Sequence, residues 1–265
     1  MTGRRFAAAL VAAALLAVCS GQAHATTTKA ASWATCADRT ALFQGPYRWY
    51  DDIFNGDSGH FCIRVTRHRM LVQDVVYGQP GGVVAYPAIQ YGPYYAWHDP
   101  ASGLPAQLGL HADAIGTIDA YVASTGRARG EYQSDVDLWL GRNADTSVHA
   151  TAEIVIVNRS SGTGSGRLTR IGGIWYRVRR WETCPAAVGM CWPLMLFVQV
   201  RQTDRARVDV SGVLAKVLAW RWLPSWEWLF SVNYGTEIWS GDLHLTDAMD
   251  IRWIPLPCIC ERGTS

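Results

Sequence analysis

The 265-residue sequence predicts an all-β fold, a sandwich or jelly roll carrying a single α-helix. Three observations lead there. Charged residues make up only 17% of the chain against 49% hydrophobic, with 13 Trp and 25 Gly, a composition too apolar and aromatic for a disordered chain. Strand-like segments recur along the sequence with turn residues between them. A single stretch departs from that rhythm and carries a helical period.

The first 25 residues read as a secretory leader. Arg4 and Arg5 supply the positive region, Phe6 to Val18 the apolar run, and Ala23-His24-Ala25 a cleavage site. The apolar run, about 13 residues, is too short to span a bilayer. Removing the leader takes two of the 24 basic residues and no acidic one, leaving 22 of each. Residues 26–265 are then expected to form one exported, extracellular domain. It has no membrane anchor, and no block of like charge suited to nucleic acid.

Strands are expected over His60 to Thr66, Met70 to Tyr77, Gly116 to Ser124 and Glu131 to Leu140. Further strands are Ala150 to Asn158, Gly173 to Arg180, Pro193 to Val200, Trp228 to Tyr234 and Gly241 to Trp253. The Gly/Ser run from Ser160 to Gly166 is short enough for a hairpin loop. Val210, Val213, Leu214, Val217 and Leu218 fall on one helical face, with Asp209 placed to cap and Pro224 to stop. Trp220, Trp222, Trp226 and Trp228 cluster around the end of that helix and are expected to pack there.

Six cysteines remain after the leader, an even number that suits disulfides in an exported chain. Cys36 with Cys62 and Cys184 with Cys191 are the expected pairs, while Cys258 and Cys260 stay open. Neither Cys-x-x-Cys nor His-x-x-x-His occurs, so no metal or other cofactor is expected.

Chemistry is suggested by where acids fall on strands. Along Ala150 to Asn158, Ile154 and Ile156 share one face and Glu153, Val155 and Val157 the other. A carboxylate in that apolar company should have a perturbed pKa unless it is partnered. On the preceding strand Asp135, Asp137 and Trp139 share a face, so two neighbouring strands bring acids and a Trp to one surface. A third acid, Glu237, is bracketed by Gly235, Trp239 and Gly241. Two carboxyls about 5 Å apart serve retaining glycoside hydrolysis, and Trp or Tyr faces suit the apolar C–H faces of sugar rings.

The wording and order of three segments resemble glycoside hydrolase family 12, the small endo-β-1,4-glucanases and xyloglucanases. They are Asp137-Leu138-Trp139-Leu140, Glu153-Ile154-Val155-Ile156-Val157-Asn158-Arg159, and Tyr234-Gly235-Thr236-Glu237-Ile238-Trp239-Ser240-Gly241. The likeness extends over most of residues 36–253, and Cys36 and Cys62 stand where the family has an early disulfide. It implies a jelly roll of two strongly curved antiparallel sheets with an open cleft across the concave one. By the same likeness Glu153 is the nucleophile, Glu237 the general acid/base, and Asp137 an acid that hydrogen-bonds and tunes the nucleophile. Phe54, Trp139, Trp239 and Asn158 are the implied substrate-binding residues, although either Trp could instead pack behind the cleft.

Departures fall mainly on sugar binding. Asp51-Asp52-Ile53-Phe54-Asn55-Gly56 stands where the family has a Trp platform, and Val155 and Val157 replace a Met and an aromatic. The expectation is a secreted, monomeric retaining endo-β-1,4-glucanase acting on cellulose-like glucan or xyloglucan. The alternative is a jelly roll that binds glycan with little or no hydrolysis.

Overall fold

The structure is a computed structural model. It describes residues 32–36, 40–44, 47–51, 62–66, 69–73, 83–92, 110–111, 116–142, 150–184 and 190–254. The leader, Phe54, Cys258 and Cys260 lie outside the described residues.

The strands are β1 (Trp33–Thr35), β2 (Ala41–Gln44), β3 (Tyr47–Tyr50), β4 (Cys62–Thr66), β5 (Arg69–Gln73), β6 (Ala88–Tyr91) and β7 (Leu110–His111). They continue as β8 (Thr117–Gly141), β9 (Ala152–Ser160), β10 (Arg167–Ile171), β11 (Ile174–Thr183), β12 (Trp192–Gln199) and β13 (Arg205–Asp209). Helix α1 (Val210–Ala219) precedes the last strand, β14 (Trp228–Ile254). Among the described ladders every pairing is antiparallel except β9 with β12.

Two pairs of expected strands are each a single long one. The segments ending at Ser124 and starting at Glu131 join as β8, and those ending at Tyr234 and starting at Gly241 join as β14. The intervening glycines bend the chain without breaking the ladder. Gly130 and Gly241 face each other in register with φ 104° and 133°, a conformation that side chains resist. A Cβ on either would run into the opposite backbone, Ser240 O for Gly130 and Arg129 O for Gly241.

Because β8 and β14 run through both layers, a single hydrogen-bonded sheet makes a sandwich. One layer runs β13-β8-β14-β5-β4-β1 through the Thr117 end of β8 and the Ile254 end of β14. The other runs β2-β3-β6-β14-β8-β9-β12-β11-β10 through their opposite ends. Ile63, Val65, Met70 and Val72 of the first layer and Leu138, Ile154, Ile156 and Phe197 of the second share one dry core. A buried polar chain crosses it: Ser134 Oγ donates to Ser124 Oγ at 3.0 Å, and Thr236 Oγ1 donates to Asp247 Oδ2 at 3.1 Å.

Helix α1 forms where the period placed it. Asp209 Oδ1 accepts from Gly212 N–H at 2.7 Å, and Val210, Val213, Leu214 and Val217 are buried. It ends at Trp220, four residues before Pro224, with Arg221 at φ 57°. Trp220 stacks on Phe197 with ring centres 6.2 Å apart and contacts Trp222 at 4.7 Å. Trp228 packs on the Ala150–Phe230 cluster. Trp226, expected to pack in the same group, is 47% exposed. Disulfides join Cys36 to Cys62 and Cys184 to Cys191.

Candidate active site

The acids come together because strand alternation and ladder register agree. On β8, Gln133, Asp135, Asp137 and Trp139 face away from the core, while Val136, Leu138 and Leu140 face into it. Opposite Asp137 lie Asn233 of β14 and Val155 of β9, and that row continues to Leu196 and Arg179. Opposite Asp135 lie Gly235 and Val157, continuing to Val198 and Arg177. These two rows form the floor of the second layer's outward face, and Asp135, Asp137, Val155, Val157, Leu196 and Val198 in them are buried.

The catalytic candidates stand on either side of that floor. Glu153 pairs with Trp139 and Glu237 with Gln133, six residues apart on β8. Laid flat, such a ladder would separate them by roughly 20 Å. The Glu153 charge adds to the rise of Glu237. Register shifts at Ser134/Asp135, Leu229/Ser231 and Ile238/Ser240 bracket the floor.

Each wall acid has one strong donor. Trp192 Nε1–H donates to Glu153 Oε2 at 2.7 Å, and Gln133 Nε2–H to Glu237 Oε2 at 2.5 Å. Burial pushes Glu153 up to about 7, opposed by the Trp192 donor. Burial and then the Glu153 charge push Glu237 up to about 8, opposed by Gln133. Both candidates are thus raised above ordinary carboxylates, and the Glu153 charge favours the proton on Glu237.

Beneath them, Asp135 and Asp137 are both buried and held well above the usual carboxylate range, first by burial and then by the neighbouring acids. Tyr86 O–H donates to Asp135 Oδ1 at 3.1 Å, and Asn233 stands opposite Asp137 in the β8–β14 ladder. Asp137 was expected to hydrogen-bond the nucleophile. It stands opposite Val155, on the same face as the neighbouring Trp139–Glu153 pair, and the Glu153 charge adds to its rise.

Trp139 is half-buried and meets Trp192 edge-on at 5.8 Å, so it supports the wall that carries Glu153. Trp239 is half-buried in the bulge between Ile238 and Ser240. Asn158 departs from expectation. It is fully buried and its amide donates to Thr203 O at 2.9 Å, because alternation sets it with Ile154 and Ile156 on the core side of β9. Phe54 lies outside the described residues. Trp192, Gln133, Asn233 and Tyr86 join the site beyond the sequence reading, which itself sets Asp135 on the same face as Asp137. Gln133 was readable as the next same-face position before Asp135, whereas Trp192 reaches Glu153 only through the parallel β9–β12 ladder.

No family model matches the chain. Endoglucanase S of Pectobacterium parmentieri is 25% identical to it over 173 residues, covering 60% of this chain and 62% of that protein. The chain thus spans less than two thirds of that curated relative. A metagenome-derived glycoside hydrolase family 12 endoglucanase superposes with a TM-score of 0.72 at 18% identity, over 86% of this chain and all of the other. A family 12 xyloglucanase from Bacillus licheniformis superposes at 0.71 with 20% identity, over 84% of this chain and all of the other. The chain has the fold of the family 12 glycoside hydrolases.

Proposed function

We propose that the chain is a secreted, monomeric retaining endo-β-1,4-glucanase that cleaves internal bonds of cellulose-like glucan or xyloglucan by double displacement. The reading is carried by the pair Glu153 and Glu237, which flank the Asp135 and Asp137 rows and are both raised above ordinary carboxylates, the Glu153 charge favouring the proton on Glu237. The names of the similar proteins, endoglucanase and xyloglucanase, support the same class of substrate.

In the first step the Glu153 carboxylate attacks the anomeric carbon while Glu237 gives its proton to the leaving glycosidic oxygen. The Trp192 indole N–H holds Glu153 in place and favours its charged form. In the second step Glu237, now ionised, takes a proton from water, which attacks the glycosyl-enzyme ester and releases Glu153. Gln133 keeps Glu237 oriented through both steps. Burial raises Asp135 and Asp137 well above the usual carboxylate range. The mechanism needs Glu153 charged while Glu237 keeps its proton, and the Glu153 charge favours that proton.

Release of reducing ends from soluble cellulose, barley glucan and xyloglucan tests the reading, with Glu153→Gln as the control. No turnover on any β-glucan, or undiminished turnover in the variant, removes it.

A further inference from the structure

Beyond Glu153, the groove runs to an edge whose chemistry a neutral glucan does not need. Strand β11 turns Tyr176 and Val178 into the core, so Trp175, Arg177, Arg179 and Trp181 alternate on the groove side. Trp181 lies in the same cross-strand row as Leu194 and Glu153, two strands or about 10 Å from the nucleophile candidate. Arg179 and Arg177 stand on β11 in the two floor rows that pass through Asn233 and Gly235.

Trp181 and Trp175 are 39% and 52% exposed, unusually open for indoles in a ladder. The Arg179 guanidinium lies 4.9 Å from the centre of the Trp181 ring, which fixes the cation beside the aromatic face. Arg170 of β10 is in register with Trp175 and adds a third cation to the face. No ion pair to Arg170, Arg177 or Arg179 is found among the described residues, and β10 and β11 place no acid on that side. A flat indole flanked by guanidinium groups offers a surface for a sugar ring and a bidentate partner for a carboxylate.

We propose that Trp181 with Arg179 and Arg177 forms a subsite for a glucan unit carrying a carboxylate, at the β11 end of the groove. This rests on the groove being a glucan site, and it narrows the substrate class to chains with acidic units or substituents. Trp181 supplies the stacking face for any glucan. The arginines discriminate in favour of the charged one.

The test is isothermal titration of the Glu153→Gln protein with carboxymethyl cellulose and with neutral hydroxyethyl cellulose. The expected result is tighter binding of the carboxymethyl polymer. Arg177→Gln with Arg179→Gln should cut that preference by about fivefold, the scale of an exposed charge pair. It should fade likewise in about 1 M salt, where charges are screened beyond about 3 Å. Trp181→Ala should weaken both polymers alike. Equal binding of the two polymers, or a preference that survives loss of both arginines, overturns the subsite. Hydrolysis of both polymers by the native protein without that preference leaves the glucanase reading standing. Retained arginine-dependent binding with no hydrolysis keeps the subsite and removes the catalytic reading.

Discussion

Trp192 offers the most direct test of how the groove orders its two ionisations. Its indole N–H donates at 2.7 Å to Glu153 Oε2, in a setting where burial alone pushes that carboxyl upward. Trp192→Phe keeps an aromatic ring against Trp139 and removes the donor. A hydrogen bond to a charged acceptor is worth about 1.5–3 kcal/mol, and each pKa unit about 1.4 kcal/mol, so Glu153 should rise by roughly one to two units. From about 7 it then meets or passes Glu237 at about 8. The sign is fixed, because a lost donor to the anion always moves the acid limb of the profile toward higher pH. The assay is kcat/KM for barley glucan across pH 5 to 10, with thermal melts to confirm folding. The variant should show its acid limb displaced upward and its window narrowed, since a growing share of molecules carries the proton on the wrong carboxyl. A uniform loss of rate with the limb unmoved would refute the reasoning and leave Trp192 as packing.

The remaining predictions address other parts of the same frame. Glu237→Gln should lower turnover by about 10²–10⁴, the range of a lost general acid, with binding of uncleaved glucan by titration retained. Asp247, fully buried and pushed up to about 6, favours its proton in the folded chain. Its stabilising protonated form is complete below the unfolded value of about 3.9 and is lost as pH rises through about 6, a fall of roughly 3 kcal/mol. Melting temperatures of Asp247→Asn should therefore fall less than those of the native chain across pH 4 to 6, and parallel curves would contradict it. Asp209→Ala should cost about 1 kcal/mol in denaturant unfolding through loss of the helix cap to Gly212 N–H.

What could be read beforehand was whatever depends on local period. The helix and the faces of β8 and β9 follow from spacing, while the two described disulfides match the pairs favoured among several open connectivities. Even the Asn158 misplacement was decidable, since alternation set it with Ile154 and Ile156 while motif likeness suggested substrate contact. Features that depend on distant pairing were not readable. Strand β13, Arg205–Asp209, looks like a charged turn until it docks on the Thr117 end of β8. Trp192 approaches Glu153 only after the chain has gone out through β10 and returned through β11, so that β12 lies parallel to β9.

The glycine-broken strands show why fold and site cannot be separated here. Taken alone, Gly126 and Gly130 in one segment and Gly241 in the other argue for turns. Paired across the β8–β14 ladder, they become hinges that let two long strands pass from one layer to the other. The same two strands, bent again at the register shifts around Asp135 and Asp137, bring Gln133 and Trp139 to opposite walls of a groove. Glu153 and Glu237 stand on separate strands, and their acidities depart from ordinary carboxylates through burial first, with the Glu153 charge adding to the rise of Glu237. The register that turns Asp135 and Asp137 outward also sets Glu153 opposite Trp139 and Glu237 opposite Gln133, so the ladder that builds the fold is also what places the acids.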